Sequence, residues 1–560
     1  MFLREKRINK SGTIYTYLNL VESVRENRKI KQKVLLNFGN VNHWPPEKLK
    51  KLSEDIALYA GESYATRLTE DNIDPDVALN YGPFLLAELV WQRLRLSEFW
   101  QRVLSKRAIE FEVEMAMKIM VFNRLTSPKS KLSLDVWSDE QYIPGITPHK
   151  VKVHHYYRAL DIVQETRHQF EKWVYNRITD LLNFDLSLVF YDLTSSYFEG
   201  AGPESLARFG YSRDHRPDCK QIQIGLLVNP DGIPISHIVF NGAISDLKTL
   251  PAIISEMTTR FHIRECIFVA DDGILNLSTL ERVKKAGYQF ICSTSVHKEN
   301  FAKEVIRQTP PFDARPGVSP WIKVKENLWL YEFPRKIEGH RICITFNPKR
   351  KDSQFKKRQR RLKESCTYLD SFNEATKRSA QKNNQKVEDQ IDRWLRGKGT
   401  RKYFTLHRKG PRQLEYSLLI SVVEEAESLD GIMILRTDSD TLSPEDIAKG
   451  YRTLTQVENA FKEIKNFIKL RPIRHHTDTR VKGHVAVCVI AYLIESILDN
   501  ILLQSSLTLT ARKALEKLSP LKVVKLNLAD KTIYKTTTPK KEQLEVLKML
   551  GLKRFERILA

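Results

Sequence analysis

The sequence has no pair of cysteines spaced CxxC. Its six cysteines (Cys219, Cys266, Cys292, Cys343, Cys366 and Cys488) are scattered, several of them in apolar runs. That pattern argues against a disulfide-stapled scaffold or a zinc ribbon and reads as the reduced core thiols of a cytoplasmic protein. An uninterrupted membrane-spanning run is also lacking. The most apolar late stretch, Val485–Leu503, is broken by Glu495, Asp499 and Asn500 and reads as a packed helix. Residues 1–10 are charged, so no secretory leader is expected, and no internal repeat is visible.

Acid is the other shortage. Against 91 Lys and Arg stand 68 Asp and Glu, a net charge of +23 over 560 residues. Such a field attracts a polyanion, and with no membrane partner expected, that polyanion is nucleic acid. The chain is 41% apolar and 28% charged, which excludes a disordered or fibrous protein. At about 100 to 200 residues per folding unit, the length suggests two to four domains. The charge is unevenly spread: residues 349–410 hold 20 Lys or Arg against 7 Asp or Glu, a surplus of 13 in about a ninth of the chain.

Patterning divides the chain. Residues 1–44 carry β signals around Ile14–Val24 and Lys33–Phe38, with turn chemistry at 9–12 and 26–29, and predict a small basic β unit. Residues 45–182 follow helical spacing and predict a helical region. From 183 to 299 the pattern becomes α/β. Leu186–Tyr191 is an apolar run ending in Asp192, Gln221–Val228 and Ile233–Phe240 form a hairpin around Asn229-Pro230-Asp231-Gly232, and Glu265–Ala270 runs into Asp271-Asp272-Gly273. Leu277–Ala286 predicts a helix closed by Gly287. Residues 300–429 read as a β-rich insertion with a basic helical arm. Residues 430–505 return to the core, and 506–560 form a tail suited to dimerisation.

Three carboxylates matter for chemistry. Asp192 and Asp271 directly follow apolar strands, so the pattern puts them at strand carboxyl ends, where open α/β sheets bind ligands. Ser443-Pro444-Glu445-Asp446 opens a long helix expected to reach Ile468. Ile447, Tyr451, Leu454, Val457, Phe461, Ile464 and Ile468 form its apolar face, with Glu458 on the flank. Taken singly, each acid has a structural reading: a turn residue for either Asp, a salt bridge to Lys462 or Lys465 for Glu458. Together they suit hard divalent cations and phosphodiester chemistry.

The segments YDLTSSYFEG (191–200), GYSRDHRPDCKQIQIGLLVNPDGIPISHIVFNGAISD (210–246), FVADDG (268–273) and YRTLTQVENAFKEIKNFIKLRPIRHHTDTRVKGH (451–484) resemble DDE-type insertion-sequence transposases. The closest likeness is to the insertion-sequence-four superfamily, in the subgroup that begins with a β-rich segment such as REKRINKSGTIYTYLNLVES. The resemblance implies an RNase H-like mixed-sheet core, interrupted by the insertion and preceded by the β unit and by the helical region 45–182, which becomes the expected DNA-end-binding region. It implies Asp192, Asp271 and Glu458 as catalytic metal ligands for Mg²⁺ or Mn²⁺, two ions, acting on double-stranded element ends and target DNA. A homodimer or synaptic oligomer working on nucleoid DNA follows from the need to hold two ends.

The family signature Y-x2-R-x3-E-x6-K is matched at Tyr451, Glu458 and Lys465, but Leu454 replaces its Arg. A phosphate clamp must then come from Arg452, Arg471 or Arg474, or be absent. Tyr451, Lys465, Arg471, Arg474 and Arg480 are the DNA-binding candidates; core packing for Tyr451 and a salt bridge for Lys465 are the structural alternatives. Asp272 stands where many relatives carry Arg. His475, His476 and His484 lack the cysteines of a zinc site. His215, Arg216 and Lys220 form a basic patch. Trp321, Trp329 and Trp394 could stack on an unpaired base or fill a β core. Two other functions fit the same residues: a catalytically silent DNA-binding repressor, and a nuclease without strand transfer.

Overall fold

The computed structural model describes residues 1–560 apart from 27–28, 61–73, 147–149, 183–186, 265, 272, 276, 295, 297–299, 314–318, 379–384, 409–413, 506–508, 529–530, 553–557 and 560. Asp272 and part of the turn at 26–29 therefore lie outside the described residues. Two compact units are present, one of Met1–Val77 with Lys525–Tyr534, the other of Ala78–Val524 with Lys535–Leu559.

In the first unit β1 (Phe2–Lys10), β2 (Thr13–Glu26) and β3 (Lys29–Asn40) form an antiparallel meander, followed by α1 (Pro46–Tyr59). Ser11 and Gly12 both take positive φ in the first turn, and the Asn9 side chain accepts a bond from the Gly12 N–H at 3.2 Å. Of its strand hydrophobics, Leu18 and Val21 are buried, while Leu3, Ile14 and Leu36 are exposed.

The second unit begins at Ala78, within β4 (Asp74–Asn80), and continues with α2 (Gly82–Arg93), α3 (Leu96–Leu104), α4 (Val113–Thr126), α5 (Leu134–Asp139) and α6 (Val153–Leu182). A nine-stranded mixed sheet follows. Its strands are β5 (Leu188–Tyr197), β6 (Gln221–Val228), β7 (Pro234–Asn241), β8 (Ile267–Ala270), β9 (Gln289–Thr294), β10 (Ile322–Lys325), β11 (Leu328–Glu332), β12 (Arg341–Phe346) and a late strand, Ile432–Thr437. The order is β10-β11-β12-late strand-β9-β8-β5-β6-β7, with β5, β8 and β9 parallel to one another and the remaining pairs antiparallel. Helices α7 (Leu250–Ser255), α8 (Leu277–Lys285) and α9 (Asn300–Gln308) lie between these strands in sequence.

Strand alternation assigns the faces. Val189, Tyr191 and Leu193 of β5 share a core with Phe268, Phe290 and the α7 and α8 residues Leu250, Ile253, Leu280 and Val283. Phe190, Val269, Ile291 and Ile224 point the other way, into the large core that also takes in the helices before the sheet. Gly225 of β6 is needed for this packing: a Cβ there would stand 2.5 Å from the Tyr191 hydroxyl. Gly225→Ala should cost about 1 to 3 kcal/mol by overpacking, read as a lowered melting temperature. Gly397→Ala, with open space around it in a helix, should leave that temperature unchanged or raise it.

The runs flanking the basic block fold as strands, but β10, β11 and β12 extend the main sheet instead of forming a module of their own. Beyond them the chain is mainly helical, in α10 (Pro348–Arg378), α11 (Gln385–Lys398) and α12 (Ile420–Ser428), with one hairpin, β13 (Phe404–Arg408) and β14 (Leu414–Leu418). It returns as β15, the late strand already placed between β12 and β9.

The long helix expected from 444 to 468 is two helices, α13 (Pro444–Thr453) and α14 (Thr455–Asn466), broken at Leu454. Thr453 and Thr455 flank the break, and their hydroxyls donate to the carbonyls of Lys449 and Arg452, a local alternative that bends helices. Ser443 caps α13 as expected, accepting from the Asp446 N–H at 3.1 Å. The apolar stretch near the end is α15 (Asp478–Leu503), long and apolar enough to cross a membrane but buried over most of its length among α2, α4 and α6. Fully burying each of its Ile, Leu and Val side chains contributes roughly 1.5 to 3 kcal/mol, enough to make it the central helix of this core. After it, α16 (Ala511–Leu518) packs on α2, and Arg512 reaches back to Glu495 at 2.8 Å.

Candidate active site

Asp192 lies within β5, not beyond its end: the strand continues to Tyr197 because Asp192 to Tyr197 pair with β6. Its position relative to β8 is the informative one. The parallel ladder joins Leu188 to Ile267, Val189 to Phe268 and Phe190 to Val269. Counting on two residues brings Asp192 opposite Asp271, on neighbouring strands that lie about 4.8 Å apart. Both follow the alternation of Phe190 and Val269, so both project from the sheet face that packs α13 and α14. Glu458 sits in the first turn of α14, which packs on β5 and β6 through Val457, Ala460, Phe461 and Ile464.

The three carboxylates line one cavity of about 720 Å³. The Leu193 N–H donates to Asp192 Oδ1 at 2.7 Å, and the Ile274 N–H to Asp271 Oδ1 at 3.2 Å. Burial, then the charge of Asp271 and, more weakly, that of Glu458 push the Asp192 carboxyl up to about 7 against the opposing pull of the Leu193 N–H and Arg213. Burial is the larger cause, and the repulsion among the carboxylates adds to it. A divalent cation with oxygen ligands relieves such repulsion, so the donor set fits Mg²⁺ or Mn²⁺. The carboxylates do not close around a common point: among the described residues, no three His, Cys, Asp or Glu side chains are gathered tightly enough to hold an ion as they stand.

Residues 183–494, more than half of the chain, match the family described as "Transposase DDE domain", and residues 3–65 match "IS1634 family transposase, N-terminal domain". The chain belongs to the DDE insertion-sequence transposases. No curated protein is similar enough to count as a match. A solved structure described as "Mos1 transposase paired-end complex with left transposon end" is similar over 33% of this chain and 59% of that one, at 10% identity and a TM-score of 0.15. That likeness is too slight to add to the assignment.

In this transposase most of the DNA-binding candidates are already engaged. Lys465 bonds Asp214 at 2.7 Å, and Arg471 pairs with the same carboxylate. Lys465 is largely buried, and burial lowers its pKa despite that partner. Arg474 pairs with Glu199 at 2.6 Å and Arg480 with Asp161 at 3.4 Å. Tyr451 lines the acid cavity and packs against the large core.

Arg452 also lines the cavity, and so does Arg350 from the start of α10. A sequence signal for Arg350 existed only as one charge in a basic run. Arg213, which eases the repulsion on Asp192, is bound to Asp246 at 2.7 Å. Its own N–H donates to the Ser195 hydroxyl, tying the 210–220 loop to β5.

Most of the other singled-out residues are held by contacts within the fold. His484 donates its Nε2–H to the Leu470 carbonyl at 3.0 Å and places Nδ1 2.9 Å from Lys131 Nζ, and burial lowers the pKa of both His484 and Lys131. Burial also pushes His475 down to about 3. Arg216 pairs with Asp218 at 2.8 Å over the Tyr197 ring. Trp321 and Trp329 pack around Phe312, and Trp394 stacks on Tyr368 with ring centres 4.0 Å apart. All six cysteines are free thiols.

Proposed function

We propose that this transposase binds the terminal inverted repeats of its element as double-stranded DNA, hydrolyses the 3′ ends with divalent metal, and joins those ends to target DNA by transesterification. In this reading the mixed sheet with its flanking helices is an RNase H-like core, and the chain acts as a homodimer or larger synaptic assembly on nucleoid DNA in the cytoplasm. The supporting observation is the convergence of Asp192, Asp271 and Glu458, from two parallel strands and one helix, on a single cavity.

Asp192, Asp271 and Glu458 would hold Mg²⁺ or Mn²⁺, two ions. When bound, such ions supply Lewis acidity to a phosphoryl oxygen and activate an attacking hydroxyl. The chain's own contribution is placement. Strand register fixes the two aspartates side by side, α14 brings Glu458 across from them, and Arg350 and Arg452 present positive charge to a phosphodiester in the cavity. Leu454, Met433 and Val296 supply apolar wall that limits water around the reacting bond.

The test uses the full chain, a labelled element end and target DNA with Mg²⁺ or Mn²⁺. Nicking at the 3′ ends followed by joined products is expected, and chelation should remove both. No nicking would overturn the enzymatic reading; nicking without joining would reduce it to a nuclease.

A further inference from the structure

The basic block has a direction. Helix α10 begins at the wall of the acid cavity, which Asn347, Arg350 and Gln354 help to line, and an adjoining cavity of about 230 Å³ is lined by Gln354, Lys357 and Arg361. Arg350, Gln354, Lys357 and Arg361 are spaced by four, three and four residues, so they form one stripe along the helix. Gln354 belongs to both cavities, which makes the stripe continuous from the acids outward.

Two features suit this stripe to a phosphate backbone. The helix is fixed in place: Arg358, on its inner side, makes a buried ion pair with Asp430, and the Gly431 N–H donates to Gln354 Oε1 at 2.8 Å. The cations on the stripe are also available. Among the described residues, Arg350, Lys357 and Arg361 make no ion pair, whereas Lys356 pairs with Asp352, Arg360 and Lys398 with Glu364, and Arg396 and Arg401 with Asp392. Lys349, Lys351, Lys363, Arg393 and Lys402 are likewise without an ion pair among the described residues, so what distinguishes the stripe is that its unpaired cations line the two cavities.

We propose that Arg350, Lys357 and Arg361 form a phosphate rail that carries the backbone of the DNA running out of the acid cavity. From Arg350 to Arg361 the helix rises roughly 16 Å, the length of about five nucleotide steps of duplex at 3.4 Å each. The rail therefore grips phosphates on one side of the cleaved bond and sets the path of the DNA. It supplies, from the insertion, positive charge in place of the signature Arg, whose position Leu454 occupies between α13 and α14. This inference rests on the DNA-cleaving reading of the cavity.

The experiment measures binding of the full chain to an element-end duplex across a salt series without divalent metal. R350Q/K357Q/R361Q should reduce the slope of log affinity against log salt by about 2 to 3, since each lost phosphate contact removes about 0.9. R264Q/R282Q/K285Q removes the same charge from surface positions outside the stripe and should leave the slope within about 0.5 of the native value. The charge-keeping R350K/R361K should retain it.

Methylphosphonates placed within about five nucleotides of the cleaved bond should weaken native binding at least tenfold and affect the triple variant less than twofold. An unchanged slope in the triple variant, or equal methylphosphonate losses in both proteins, overturns the rail even where the native chain cleaves normally. A native chain that neither binds nor cuts element ends overturns the underlying reading, and the rail with it.

Discussion

Asp192→Asn, Asp271→Asn and Glu458→Gln are each expected to abolish end cleavage while leaving binding of element-end DNA within about twofold. Each substitution keeps the side chain's size and removes one anionic ligand. Ion-assisted stabilisation of developing charge is worth several kcal/mol, and a loss of about 4 kcal/mol lowers the rate on the order of 10³-fold. The measurement is single-turnover nicking of a labelled end, paired with a binding titration on the same preparation. Full activity in any one variant would remove that residue from the site. A change in thermal stability is expected at Asp192, because burial and the neighbouring carboxylates disfavour its ionised form. Asp192→Asn should therefore melt at or above the native temperature even though it does not cut, which separates loss of chemistry from loss of fold.

Glu171→Ala should be the most damaging single change away from the cavity. Glu171, on α6, accepts from Ser236 Oγ at 3.2 Å and the His237 N–H at 3.3 Å, lies 2.8 Å from His237 Nδ1, and pairs with Arg167 and Arg260. Glu256 and His168 complete the charged surroundings. The cluster fastens α6 to β7 and to the Glu256–Arg260 turn. Truncating its central anion leaves two guanidinium groups short of a buried partner, at about 3 to 5 kcal/mol. In a folding unit of this size the shift is roughly 1 °C per kcal/mol, so the melting temperature should fall by about 3 to 5 °C.

The cluster also has a pH signature. Burial alone would raise the Glu171 carboxyl, but Arg167, His237 and Arg260 outweigh it and hold the group at about 2. A depressed carboxyl stabilises the fold above its ordinary pKa of 4.5, and the contribution is lost as pH falls toward 2. That amounts to about 3 kcal/mol. Melting curves from pH 6 down to 3 should show the native chain losing stability faster than Glu171→Gln; parallel curves would deny the cluster this role.

The two aspartates were legible because an apolar run meeting an acid is a local pattern. Their side-by-side placement was not, since nothing local in 186–192 or 265–271 states that these strands pair in parallel, or that β5 runs on past Asp192. The flank position of Glu458 followed from helical spacing and survived the break at Leu454. The break itself, flanked by threonine hydroxyls bonded to the backbone, is a feature that periodicity does not register. Lys465 and Arg471 looked available because their partner, Asp214, lies about 250 residues earlier in the chain. Arg350 was hidden for the converse reason: a run of like charges does not tell which side chain faces the site until the buried Arg358–Asp430 pair fixes the helix.

The position of β15 bears on how the sheet is completed. It is inserted between β9 and β12, yet 85 residues separate Phe346 from Ile432. Until β15 arrives, β9 and β12 are edge strands with open rows of backbone donors and acceptors, the kind of edge that recruits other chains. At about 5 to 20 residues per second, synthesis keeps those edges open for roughly 4 to 17 s while α10, α11 and α12 are made. Premature termination in that interval yields chains that hold both aspartates but have no closed sheet, and their expected fate is aggregation.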